Sequence, residues 1–373
     1  MNIFFSFIMK FFYTLSVFII FFIFTDLIFS NFVYQEKNKI RYDCFEYKYY
    51  TYKEVSYSDY YLAKNCTATE KQRTVIPYKV YTDEYGYRYS KIPRSEDKKN
   101  IVFLGDSFTY GYGVKYRDSF PGIIETKLDE FNIFNLGVPG FGMHKYLYVL
   151  KNFLKNNTVH KIFITMDMTD VADAAGRWTL IPNVKSPVVK SKKVNEEINN
   201  WKKIKNSNFK GARMISFHVR NFLRFLKIKF RSNKSSLNDA ALKSDVANFT
   251  YFDLNDHPKY NREIFNQSLD NIDKYFKKIN NLAKTNNAEV YLVIFPWPET
   301  LIHGQKKFNW ENFSNELCKK NGCKEVINLF NDFQKIKNIN NNWKDLIYIK
   351  DDVHLKKFGN QIIANEIIKT LNH

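Results

Sequence analysis

Proline and glycine are scarce in this chain, 9 and 13 residues among 373, which excludes collagen-like and Pro/Gly-rich low-complexity architectures. Cysteine is scarcer still, four in all. No two are spaced C-x-x-C and no histidine sits at zinc-finger distance, so a structural zinc site is excluded and no metal is expected. Alanine is missing before Ala63, and with it any small-x-small site for signal-peptide cleavage. Acidic residues are few against basic ones, 38 to 57, giving a net charge of +19. Charged residues at 25% beside 45% hydrophobic ones are nonetheless ordinary for a folded protein, and exclude a largely disordered chain.

The apolar residues that are present are strongly grouped. From Ile3 to Val33 the chain is almost wholly apolar, broken by Lys10 and Asp26. With its flanks this run is long enough to cross a bilayer, and without a cleavage site it reads as an uncleaved signal anchor over residues 1–33. Residues 34–99 are rich in tyrosine and alternate in places, as in Tyr78-Lys79-Val80-Tyr81, the pattern of short strands and turns capping a larger domain. The cysteines fall into two local pairs, Cys44 with Cys66 and Cys318 with Cys323. Their spacing suits two small-loop disulfides in an oxidising compartment, or else four reduced, buried thiols in a reducing one.

From residue 100 onward, buried apolar runs alternate with helical segments. The runs are Ile101–Leu104, Ile133–Leu136, Lys161–Met166, Val290–Phe295 and Glu325–Leu329. Such a pattern predicts an α/β domain over residues 100–373, with a parallel sheet covered on both faces. Phe358, Ile362, Ile363, Ile367 and Leu371 recur at helical spacing and predict a final helix docked on that sheet. One stretch stands apart: residues 183–236 hold 15 lysines and arginines and two glutamates, or +13 of the chain's +19. Inside it, Ile215, Val219, Phe222, Leu226 and Phe230 alternate with basic residues, a basic amphipathic helix over 213–231. Such a helix either packs on its own domain with a solvated face or lies on an anionic membrane surface. No nucleic-acid-binding module accompanies the charge, so nucleic acid is not expected as a partner.

Chemistry concentrates at two places. The first predicted strand runs into Gly105-Asp106-Ser107-Phe108-Thr109, putting Ser107 at a tight strand-to-helix turn on the carboxyl edge of the sheet, where a helix N-terminus suits an oxyanion. Far downstream, Asp351-Asp352-Val353-His354 precedes the final helix. Asp351 lies three residues before His354, a spacing that lets its carboxylate hold one imidazole nitrogen and leave the other for Ser107. His257 and His303 lie in polar loops without a matched carboxylate and are read as surface histidines.

These blocks, with Asn135-Leu136-Gly137 followed by Gly140 and Gly142, resemble the SGNH (GDSL-type) hydrolase superfamily from about residue 75 to the C-terminus. Two further stretches are similar to its membrane-tethered bacterial members: Thr82-Asp83-Glu84-Tyr85-Gly86-Tyr87-Arg88, where Arg88 is expected in a buried ion pair, and Phe295-Pro296-Trp297-Pro298. The resemblance implies a flavodoxin-like three-layer α/β/α fold, with Ser107 as nucleophile, His354 as base and Asp351 as its orienter. It also implies an oxyanion hole from the N–H groups of Ser107 and Gly137 and an asparagine side chain, a position that Thr169 occupies here. Asp106, Asp170 and Trp297 are candidate supporting residues, Trp297 being either a pocket-mouth or a core aromatic. Asp167, Asp170 and Asp173 are not expected to bind a cation, and no cofactor is expected.

The expected function is therefore a serine esterase or O-acyltransferase acting on acyl, chiefly acetyl, esters of cell-envelope glycans. The alternatives are a lipid esterase at the bilayer surface and a non-catalytic glycan-binding or assembly protein. Lys37, Lys39 and Arg41 after the anchor favour a cytoplasmic domain by the positive-inside rule. The cysteine pairs and the enzyme class favour the other side, and an extracytoplasmic, periplasmic domain on a single-pass anchor is the expectation.

Overall fold

A computed structural model describes residues 2–28, 44–52, 55–70, 77–174, 215, 216, 219, 262–350 and 352–372. The chain divides into two compact units, one of residues 1–41 and 189–236 and the other of 42–188 and 237–373. Apart from Ile215, Ser216 and Val219, the basic helix expected over 213–231 lies outside the described residues, as does His257.

In the first unit, helix α1 spans Asn2–Ile28. Its segment Met9–Ile28 is 20 residues long and apolar enough to cross a membrane, since 20 residues at 1.5 Å each reach about 30 Å. The few hydroxyls along it turn back on the helix: Thr14 donates to the Lys10 carbonyl at 2.9 Å and Ser16 to that of Phe12 at 2.8 Å. These hydroxyls are thereby satisfied inside their own helix, as hydrocarbon surroundings demand.

The second unit opens with two small antiparallel pairs, β1 (Phe45–Tyr52) with β2 (Val55–Leu62) and β3 (Thr67–Glu70) with β4 (Tyr78–Tyr81). Cys44 and Cys66 are disulfide-bonded across the first pair. The sheet proper is five parallel strands: β5 (Lys99–Leu104), β6 (Phe131–Asn135), β7 (Lys161–Thr165), β8 (Glu289–Ile294) and β9 (Glu325–Asn328), in the order β6-β5-β7-β8-β9. All five coincide with the apolar runs of the sequence, because strands buried on both faces need no alternation. Its register stacks Phe103 on Phe163 and Phe163 on Tyr291, with ring centroids 5.3 and 4.9 Å apart, an aromatic ladder across three strands.

Between the strands lie α2 (Ser107–Tyr110), α3 (Phe120–Lys127), α4 (Met143–Phe153), α5 (Thr169–Ala174), α6 (Arg262–Thr285), α7 (Pro298–His303), α8 (Trp310–Asn321), α9 (Phe330–Ile339), α10 (Trp343–Ile347) and α11 (Lys357–Leu371). Helix α6 packs on α4, α5 and α8, and α11 packs on α3 and α10. This is the three-layer arrangement expected, with its topological reversal at β5, where open α/β sheets place their sites. The second disulfide, Cys318–Cys323, closes the turn after α8.

The segment before β5 departs from expectation at Arg88. The ion pair there belongs to Arg94, 2.7 Å from the buried Asp83, whose other carboxylate oxygen accepts the N–H groups of Tyr85 and Tyr87. Arg88 is fully buried and donates instead to three carbonyls, those of Tyr110 at 2.6 Å, Gly111 at 2.7 Å and Val114 at 2.7 Å. Its guanidinium lies among the rings of Tyr78, Tyr110 and Tyr116. Planar forked donors reach several acceptors at once, as a lysine ammonium cannot. Arg88→Met is expected to lower stability by about 3 kcal/mol or more, since it strands three buried carbonyls; Arg88→Lys should recover only part of this. Denaturant unfolding of the three proteins measures it.

Candidate active site

Strand β5 delivers the chain into α2 through Gly105 and Asp106. Gly105 has no room for a side chain, because a Cβ there would collide with the Thr109 and Thr165 hydroxyls, which are themselves hydrogen-bonded to each other. Asp106 caps α2 by accepting the Phe108 N–H at 2.9 Å. Ser107 is thus the first residue of a helix whose N-terminal N–H groups and positive end face the carboxyl edge of the sheet.

His354 reaches this point from the loop before α11. Its Nε2 is 2.8 Å from Ser107 Oγ, and its Nδ1 is 2.6 Å from Asp352 Oδ1. With a carboxylate on Nδ1 the proton is assigned there, leaving Nε2 to accept the serine hydroxyl. The rings of Phe108 and Tyr112 flank the imidazole, with centroids at 4.9 and 4.8 Å.

The carboxylate seen on His354 is that of Asp352; the expected Asp351 lies outside the described residues. The reason is local: Asp352 Oδ1 also accepts the N–H groups of Val353 at 2.7 Å and His354 at 3.2 Å. Such an Asx turn aims an aspartate at the ring two residues on. Burial alone would raise the Asp352 carboxyl, but the hydrogen bond and charge of His354, with those two N–H groups, hold it below its ordinary value.

The oxyanion-hole expectation also changes. The Gly137 N–H is committed to Asn135 Oδ1 at 3.0 Å, while Asn135 Nδ2 donates to the Thr109 carbonyl at 2.8 Å. Asn135 and Gly137 therefore brace β6 against α2. The Gly140 residue is half-buried, with φ +74°, a conformation glycine adopts without strain. Among the described residues, the N–H groups of Ser107 and Gly140 have no hydrogen-bond partner. The run of glycines after β6 was the available signal for Gly140.

Thr169 does not present a free donor either. Its hydroxyl lies 2.7 Å from Asp167 Oδ1 and 3.1 Å from Asp106 Oδ2. Asp106, Asp167 and Asp170 are all buried, and burial, with neighbouring carboxylates second, pushes Asp167 and Asp170 well above the usual carboxylate range. Trp297 is buried as well, its ring 6.4 Å from that of Phe108 in α2. His303 closes α7; the histidine brought to Ser107 is His354.

A five-stranded parallel sheet with its reversal at β5, a serine at the first turn after β5 and an Asp-x-His ahead of the last helix occur together here. This is the arrangement that the sequence resemblance implies. Solved structures similar to it include a lipolytic protein of the G-D-S-L family from Veillonella parvula, 12% identical with a TM-score of 0.40, covering 74% of this chain and 99% of the other. An esterase from Pseudoalteromonas sp. is 14% identical, TM-score 0.36, at 74% and 100% coverage. An acetylxylan esterase from Geobacillus stearothermophilus is 9% identical, TM-score 0.37, at 75% and 97%. No family model and no curated protein matches the chain.

Asp352→Ala is expected to lower kcat for ester cleavage by about a thousandfold or more, because the imidazole loses its tautomer and its counter-charge. Asp351→Ala should stay within about threefold of wild type. Steady-state kinetics of the two variants distinguishes the two aspartates.

Proposed function

We propose that this chain is a serine ester hydrolase of the SGNH type, held at a membrane by α1. The observation that carries the reading is the unbroken chain from Ser107 Oγ through His354 to Asp352, at 2.8 and 2.6 Å. In that reading Ser107 Oγ attacks the ester carbonyl carbon as His354 Nε2 takes its proton, and Asp352 supports the imidazolium. The carbonyl oxygen, now an oxyanion, is received by the N–H groups of Ser107 and Gly140. Collapse breaks the carbonyl–alkoxy bond, and the alcohol leaves with the proton from His354. An acceptor hydroxyl then attacks the acyl carbon, passing its proton to the same nitrogen, and the acyl–Oγ bond breaks as His354 returns that proton to Ser107. Water as acceptor makes the protein an esterase, and a sugar hydroxyl makes it an O-acyltransferase.

Acyl, chiefly acetyl, esters of cell-envelope glycans are the proposed substrates. Support comes from the two disulfides, which suit an oxidising compartment, and from the membrane-crossing length of Met9–Ile28. The disulfides support an α/β unit outside the cytoplasm, and the apolar helix supports its attachment to a membrane.

Detergent-solubilised protein is expected to hydrolyse an activated acetyl ester, with Ser107→Ala and His354→Ala reduced about a thousandfold or more. Turnover that survives Ser107→Ala refutes the assignment. A reporter fused behind the α/β unit and active only outside the cytoplasm is expected to be active; a silent one reverses the orientation.

A further inference from the structure

Beside Ser107 lies a row of oxygens that the esterase mechanism leaves unused. Ser107 Oγ is 3.3 Å from Asp106 Oδ2, which is 3.1 Å from Thr169 Oγ1, which in turn is 2.7 Å from Asp167 Oδ1. Proton counting constrains this row. The Thr169 hydroxyl has one proton and two carboxylate neighbours, so with both aspartates ionised one of its contacts would be oxygen against oxygen with nothing between. A single carboxyl proton repairs this, giving each contact one hydrogen. Asp167 Oδ1 takes a further hydrogen bond from the Thr169 N–H at 2.6 Å, which fixes the row in place.

We propose that Asp106 and Asp167 hold one proton between them through the Thr169 hydroxyl, and that this shared proton keeps Asp106 from drawing the Ser107 hydroxyl away from His354. Asp167 and Thr169 are then positioning residues for the nucleophile, a role that rests on the esterase reading for its kinetic consequence. Ser107 Oγ has a single proton and two acceptors, His354 Nε2 at 2.8 Å and Asp106 Oδ2 at 3.3 Å. A fully ionised pair makes Asp106 the stronger competitor and lengthens the productive bond.

The surroundings favour retention of the proton. Asp106 caps α2, Asp167 follows β7, Asp170 and Asp173 come from α5, and Tyr146 comes from α4, all buried. Asp170 Oδ2 accepts the Asp167 N–H at 3.0 Å. Burial first, and then the charges of Asp106 and Asp170, push the Asp167 carboxyl well above the usual carboxylate range. His354 faces the pair across Ser107.

Two measurements on the full chain in detergent test the proposal. In infrared difference spectra at neutral pH, wild type is expected to show a protonated-carboxyl band that Asp167→Asn removes and Thr169→Val shifts. No such band, or one that both substitutions leave unchanged, overturns the proposal whether or not the protein turns over ester. In kinetics with an activated acetyl ester, kcat is expected to fall about tenfold per pH unit at alkaline pH, where the shared proton is lost. Asp167→Asn, whose amide donates at every pH, should abolish that alkaline limb. Thr169→Val should lower kcat about tenfold with KM unchanged, and Thr169→Ser should restore it. A limb identical in wild type and Asp167→Asn overturns the positioning role, and should Asp167→Asn fail to fold, the Thr169→Val and Thr169→Ser pair decides it. Absence of turnover in wild type counts against the esterase reading alone.

Discussion

Everything at this site depends on one tight turn: the passage from β5 into a four-residue helix within Gly105 and Asp106. A helix that short has no stability of its own, and the surrounding structure grips it from both ends. Asp106 receives its N-terminal N–H, Asn135 binds the Thr109 carbonyl, and Arg88 binds those of Tyr110 and Gly111. The positive guanidinium at the carbonyl end and the carboxylate at the N–H end both suit the helix dipole. Ser107 is thereby held in place by the fold itself, the preorganisation that the proposed nucleophile requires.

The tyrosine-rich segment before β5 takes part in this grip. Glu70 on β3 accepts the hydroxyls of Tyr78 at 2.8 Å and Tyr110 at 2.6 Å, so the cap is tied directly to the nucleophile helix. Tyrosine rings also surround the buried Arg88, with cation–π attraction replacing part of the hydration it has given up. At these positions the tyrosines of the segment are structural. Of the chain's net charge of +19, +13 lies in residues 183–236, so the rest of the sequence, including the residues of the catalytic row, is far less basic.

The sheet was legible because all five strands are continuous apolar runs, and the final helix because its apolar residues keep a 3.6-residue period. Ser107 and His354 were legible from their places at a strand end and before that helix. The orienting carboxylate was not. Two adjacent aspartates precede His354, both within reach by spacing, and only the backbone turn that bonds Asp352 to Val353 and His354 decides between them. The same limit applies to Gly137 and Gly140, since only the structure shows which N–H is spent on Asn135. At Thr169 the residue type suggested a donor, while the buried carboxylates on either side make it a bridge. Where a residue's role depends on how its one proton is shared, spacing carries no information.

The central claim is that Ser107 is a nucleophile activated by His354 and Asp352. The most direct measurement is reaction of the detergent-extracted chain with a fluorophosphonate, followed by mass spectrometry of its peptides. The account predicts one phosphonyl adduct, carried by Ser107, that fails to form in His354→Ala. An adduct on another residue, or on Ser107 at an undiminished rate without His354, would contradict it.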